Sequence, residues 1–189
     1  MNGKHTNKAL FLDRDGVVNV DHGYVFKSEE FEFIDGVFST CKAFYDAGYK
    51  IIVVTNQSGI GRGYYSEADF FALNTWMKAQ FTHHQIEITD VYFCPHHPKN
   101  ALPAYLTDCD CRKPAPGMLL QGIKDHHIDP TLSVMVGDKL GDMQAAISAN
   151  IRTKVLVRSG QTFDEQAAKS ADYVCDSIKE LPVLLADLI

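Results

Sequence analysis

No run of apolar residues in this chain approaches the roughly 20 needed to cross a bilayer, and Met1 to Lys8 is short and polar, without the apolar core of a secretory leader. Neither a membrane span nor export is expected, and the chain is expected in the cytoplasm. Positive charge is not in excess: 18 Lys and Arg stand against 24 Asp and Glu, a formal net charge of -6 with the signs interspersed. That balance argues against a nucleic-acid or anionic-membrane partner, so an anionic ligand has to be attracted by a local group of cations. There is no internal repeat and no Ser/Gly-rich or Pro-rich linker to divide the chain. Nor do the five cysteines pair off: Cys94, Cys109 and Cys111 cluster while Cys41 and Cys175 lie apart, which is unlike a secreted disulfide framework. Clustered thiols in a reducing compartment suggest a metal.

What is present is a chain of 189 residues, 46% hydrophobic, enough to bury one substantial core and expected to form a single, monomeric domain over 1–189. Short β-rich apolar runs recur at Ala9 to Leu12, Ile51 to Val54, Val91 to Phe93, Ser133 to Val136 and Lys154 to Val157, separated by segments with helical spacing. Strands alternating with helices predict an α/β, Rossmann-like parallel sheet with helices on both faces. The helices carry their own punctuation. Val37, Cys41, Phe44 and Tyr45 form a stripe ending at Gly48, a C′ glycine, and Ser66 with Asp69 caps a helix bearing Phe70, Leu73, Trp76 and Met77. Pro116 opens a helix around Met118 to Ile123, Asp129-Pro130 turns the chain into the fourth strand, and a last helix runs from Ser177 through Leu184 and Leu185.

Ligands of open parallel sheets bind outside the carboxyl ends of the strands. Here the residues following the strands are Asp13 and Asp15, then Thr55-Asn56-Gln57-Ser58-Gly59, then Gly137-Asp138-Lys139 with Asp142 nearby, and Arg112-Lys113-Pro114 return from an irregular loop. Acids able to surround a hard cation, hydroxyl and amide donors, and adjacent cations suit a phosphoryl group, whose transfer depends on positioning and charge neutralisation. Asp13 or Asp15 can attack phosphorus, as carboxylate nucleophiles do. Each piece alone is an ordinary turn or cap; their register at one sheet edge is what points to chemistry.

The least regular stretch, 94–111, holds Cys94-x-His96 and Cys109-x-Cys111. Three thiolates and one imidazole suit tetrahedral zinc, and four protein ligands make it structural, with His97 as an alternative to His96. A clamped loop aims Arg112 and Lys113 at the sheet edge.

Asp13-x-Asp15-Gly16, Thr55, Lys113 and Gly137-Asp138 in that order resemble the haloacid dehalogenase (HAD) superfamily of phosphohydrolases. The resemblance implies that Asp13 is the nucleophile and Asp15 the general acid/base, and that Thr55 and Lys113 stabilise the phosphoryl oxygens. It implies Mg²⁺ on Asp13, Asp15 (through its backbone carbonyl) and Asp138, with Asp142 left open between the metal and an orienting role. Val17 replaces the more frequent Thr at a position whose role is largely backbone. Thr55 lies only 42 positions after Asp13, which leaves no room for a large cap domain. The zinc loop and the stretch Asn19 to Val25 are similar to a capless branch acting on a sugar bisphosphate. That similarity implies loss of the 7-phosphate from a heptose 1,7-bisphosphate, leaning to the β anomer, in envelope polysaccharide synthesis. Asp21, His22, Gly23, Tyr24, Asn56, Gln57, Ser58, Arg112 and Lys139 would then touch the substrate. The rival readings are histidinol-phosphate hydrolysis and a zinc-stabilised binding module without turnover.

Overall fold

Alternation along the central strands decides the layering. In β1 (Lys8–Leu12), Leu10 and Leu12 face one apolar layer while Ala9 and Phe11 face the other, and in β2 (Tyr49–Asn56) Ile51 and Val53 oppose Ile52 and Val54 in the same way. A strand buried on both faces must be covered by helices on both. The computed structural model, which describes residues 6–189, shows this arrangement. After β1 come α1 (Val37–Asp46), β2, α2 (Ser58–Gly61), α3 (Glu67–His83), β3 (Ile88–Cys94), α4 (Gly117–Asp125), β4 (Val134–Gly137), α5 (Leu140–Ser148), β5 (Thr153–Val157), α6 (Glu165–Lys169), β6 (Tyr173–Cys175) and α7 (Leu181–Leu184). The strands form one parallel sheet in the order β3-β2-β1-β4-β5-β6. Each fully buried Leu, Ile, Val or Phe side chain contributes about 1.5–3 kcal/mol.

Five of these strands were expected; β6 was not. Three residues at the sheet edge give too short a run for alternation to register. Gly48 follows the Ala47 cap of α1 with φ of 85°, and Ser66 and Asp69 form a reciprocal capping box at α3. The expected terminal helix is broken: Ser177 caps a 3-10 turn over Ile178–Glu180, and α7 follows with Pro182 in its first turn. No helix among the described residues is long and apolar enough to cross a membrane.

Register places the chemistry. Leu12 pairs with Val53 on one side and with Val136 on the other, so the residues after β1, β2 and β4 emerge side by side. The order reverses between β1 and β4, where parallel sheets open a crevice. The last pair of β2 and β3 is Asn56 with Cys94, which starts the Cys/His loop beside the same edge. No cap domain separates these segments.

Candidate active site

Asp13, Asp138 and Asp142 converge, each offering a carboxylate oxygen within 4.8 Å of the others, and all three are buried. Asp13 is set by its own backbone, whose N–H donates to Val136 at 3.0 Å on β4. Two lysines hold the acids. Lys113 Nζ lies 3.0 Å from Asp13 Oδ1 and 2.7 Å from Asp142 Oδ1 and donates to the Val54 carbonyl at 2.8 Å. Lys139 Nζ is 3.5 Å from Asp13 Oδ2 and 3.2 Å from Asp138 Oδ1. Burial opposes ionisation of Asp13, but Lys113 and Lys139 outweigh it and hold its carboxyl below the usual range. Burial, then the charge of Asp13, push Asp138 up to about 7. Burial likewise opposes the charge of Lys113, and Asp13 and Asp142 more than restore it.

The acids divide by their partners. Asp142 Oδ2 accepts from the backbone N–H groups of Asp138 and Lys139 at 3.1 and 3.2 Å, so this residue fixes the start of α5 as well as Lys113. Asp138 Oδ1 and Asp142 Oδ1 are both buried without an aligned hydrogen bond, with Lys139 close to the first and Lys113 close to the second. A buried carboxylate oxygen left in this way, facing the ionised Asp13, is a fit for a hard cation such as Mg²⁺. The Asp15 side chain stands apart from this cluster. It accepts from Arg14 Nη2 at 2.9 and 3.0 Å, Asn19 Nδ2 at 3.0 Å and Gln57 Nε2 at 3.1 Å.

Thr55 is fully buried, and Gln57 Nε2 donates to its Oγ1 at 2.8 Å, so Gln57 links Thr55 to Asp15. Asn56 spends both ends of its amide on Lys113, accepting from its N–H at 3.1 Å and donating to its carbonyl at 3.0 Å. Beside these groups lies a cavity of about 380 Å³ walled by Asp15, Asp21, Gly23, Tyr24, Asn56, Gln57, Ser58, Arg112 and Lys139, together with Gly59, Tyr65 and Gln161. His22 is not among its walls. Left-handed backbone at Gly23 (φ 78°) and Tyr24 (φ 55°) turns the chain there, and His22 Nε2 faces Glu32 Oε2 at 3.2 Å on the outside. The other residues expected around a ligand are brought together.

In the irregular loop, Cys111 Sγ lies 3.0 Å from Cys94 Sγ and 3.1 Å from Cys109 Sγ, Cys94 and Cys109 are 3.5 Å apart, and His96 Nδ1 is 3.3 Å from Cys111 Sγ. A tetrahedral zinc with Zn–S of about 2.3 Å sets its sulfurs roughly 3.8 Å apart, so the sulfur pairs need to open by at most about 0.8 Å to fit one. His96, not His97, faces the thiols; His97 Nδ1 accepts from the backbone of Lys99 and Asn100. Burial pushes the Cys94 thiol up to about 11, so a cation is needed to hold it as thiolate. Arg112 Nη1 donates to the His96 carbonyl at 3.2 Å, tying the loop to the cavity wall.

The loop after β5 belongs to the site and was not anticipated. Gln161 N–H donates to Asp138 Oδ2 at 2.9 Å, its side chain donates to Asp21 at 3.2 Å, and Ser159 Oγ donates to the Gly16 carbonyl at 2.8 Å. The rule applied to the other strands, that residues beyond a carboxyl end face the ligand, would have found it.

A family model described as HAD-hydrolase-like matches residues 110–181. The D-glycero-beta-D-manno-heptose-1,7-bisphosphate 7-phosphatase of Yersinia pestis is 48% identical over 174 residues, 92% of this chain and 93% of that protein. The Haemophilus influenzae protein of the same name is 48% identical over 182 residues, 96% of this chain and 98% of that one. The solved structure of D,D-heptose 1,7-bisphosphate phosphatase from B. bronchiseptica, complexed with magnesium and phosphate, aligns with a TM-score of 0.80 at 28% identity, covering 96% of this chain and 99% of that one.

Proposed function

We propose, from the premise that the chain belongs to the D-glycero-beta-D-manno-heptose-1,7-bisphosphate 7-phosphatase family of HAD hydrolases, that it releases the 7-phosphate of the β-heptose bisphosphate through an aspartyl-phosphate on Asp13. The observation carrying this reading is the ionised Asp13 held between Lys113 and Lys139, next to Asp138 and beside an open cavity walled by Asp15. Asp13 attacks phosphorus while the ester oxygen takes a proton from Asp15 as its bond breaks. Asp15, now a carboxylate, accepts a proton from water as that water attacks phosphorus and the Asp13 bond breaks, which restores both acids. Lys113 and Thr55 neutralise and orient the phosphoryl oxygens. Mg²⁺, held by Asp13, Asp138 and the Asp15 backbone carbonyl, would supply charge neutralisation. Arg112 offers a guanidinium fork for the remaining 1-phosphate, with Lys139, Ser58, Asp21 and Tyr24 as further walls. Zinc on Cys94, His96, Cys109 and Cys111 fixes the loop that carries Arg112 and Lys113. The setting is cytoplasmic synthesis of the activated heptose of an envelope polysaccharide.

Side-by-side phosphate release tests the substrate. Heptose 1,7-bisphosphate is expected to be cleaved with kcat/KM at least about 10²-fold above histidinol phosphate, because only the former uses the cations left over after the departing phosphoryl. Preference for histidinol phosphate would reverse the assignment, and zinc-loaded protein releasing phosphate from neither would favour the binding module.

Gly160→Ala tests the placement of Asp138. A Cβ at Gly160 would sit 2.2 Å from Asp138 Oδ2, so one of them must move. Misplacement of about 1 Å at a reacting centre costs on the order of 10²-fold. A loss of that order in kcat is expected, with a raised Mg²⁺ requirement; unchanged kcat and Mg²⁺ dependence would detach Asp138 from the metal.

A further inference from the structure

Arg14 stands between the two acids of the first motif and is the largest side chain buried completely. A guanidinium out of water is costly unless its charge and its donors are met. Nη2 donates to both oxygens of Asp15 at 2.9 and 3.0 Å and to the Val25 carbonyl at 2.8 Å, and Nε reaches Asp15 Oδ1 at 3.3 Å. The rings of Phe31 and Phe70, from the β1–α1 connection and from α3, lie 5.9 Å from the guanidinium carbon. Nη1 has no partner. A side chain serving stability alone would be better apolar in such a slot, since replacing a buried ion pair with well-packed apolar groups is often neutral or stabilising. The charge of Arg14 is spent on one group, Asp15.

We propose that Arg14 is a positioning residue for proton transfer. Its fork fixes the rotamer of the Asp15 carboxyl group at the cavity wall, with Gln57 and Asn19 completing the cradle, so that Asp15 in its protonated form delivers its proton to the ester oxygen in line with bond breaking and is left as the carboxylate paired with Arg14. The inference rests on the assignment of Asp15 as the general acid/base.

A leaving group that needs a proton separates this role from a structural one. A sugar alkoxide leaves poorly without protonation, whereas p-nitrophenolate leaves without help. In Arg14→Lys, which keeps the charge but loses the fork, and Arg14→Met, which suits the slot between the rings, kcat/KM for heptose 1,7-bisphosphate is expected to fall about 10²-fold. For p-nitrophenyl phosphate the fall is expected to stay below about 3-fold. Asp15→Asn should show the same selectivity. Equal losses on both substrates, no loss on either, or unfolding of both Arg14 variants would overturn the proposal. Selective loss in Asp15→Asn but not in the Arg14 variants would overturn it while leaving the role of Asp15 intact. An Asp15→Asn variant without selectivity would remove that role and the proposal together.

Discussion

Asp13→Asn is expected to lower phosphate release from heptose 1,7-bisphosphate by at least about 10⁴-fold while the protein stays folded and keeps its zinc. Asn matches Asp in volume but cannot form the phosphoryl ester, and the other acids are committed elsewhere: Asp138 accepts from the Gln161 N–H through Oδ2 and offers Oδ1 to a cation. Asp142 is held by Lys113 and two backbone N–H groups, and Asp15 lies apart on Arg14, Asn19 and Gln57. The fold should tolerate the change because Lys113 keeps Asp142 at 2.7 Å and the Val54 carbonyl at 2.8 Å, so no buried charge is left unpaired. A stability change within about 2 kcal/mol is expected. Phosphate release, thermal unfolding and zinc content, measured on one preparation, test all three parts. Activity within about 10-fold of the parent would remove Asp13 as the nucleophile.

Zinc removal is expected to have the second largest effect, through geometry. Structural zinc in small sites carries roughly 10–16 kcal/mol of apparent binding free energy, and loops it clamps lose their fold without it. Residues 94–111 hold little regular structure beyond a 3-10 turn at Pro103–Tyr105; the Leu102 N–H on the Gly61 carbonyl and the Tyr105 hydroxyl on Glu67 anchor the middle of this loop, and the proposed ligands stand at its two ends. Arg112 and Lys113 follow Cys111 directly, and Lys113 contacts Asp13 at 3.0 Å. Cys111→Ala, or chelation of the parent protein, should therefore lower kcat about 10²-fold and lower Tm, and zinc added back after chelation should restore both. Mg²⁺ alone should restore neither. A zinc-free protein with parental kcat and Tm would show that the cluster holds no structural metal.

How much was legible varies with the range of the interaction. Strands β1, β2, β4 and β5 could be read because burial writes apolar runs into the sequence, and the half-buried edge strand β3 still shows Val91 to Phe93; β6, three residues at the other edge, is too short to register. The caps at Gly48, Ser66 and Ser177 are local chemistry and appear where local chemistry put them. Asn56 reads in sequence as a ligand contact, yet its amide is taken by the backbone of Lys113, 57 residues away. His22 reads as a partner of Asp21 and Tyr24, but left-handed backbone at the next two positions leaves it on Glu32. Neither outcome follows from residue types.

The sequence by itself determined the inventory: a parallel α/β sheet, paired acids after its first strand, a cation-bearing loop with three cysteines and a histidine at ligand spacing, and donors after the second strand. These follow from periodicity and from the chemistry of residues close in the chain. The tertiary structure decided the assignment of partners. It placed Asp142 on Lys113, turned Arg14 inward onto Asp15, and brought Gln161 from beyond β5 onto Asp138 and Asp21. The physical reason is that buried charges must find compensation within a few ångströms, and in this fold the compensating groups come from strand ends that are distant in sequence and adjacent in the sheet.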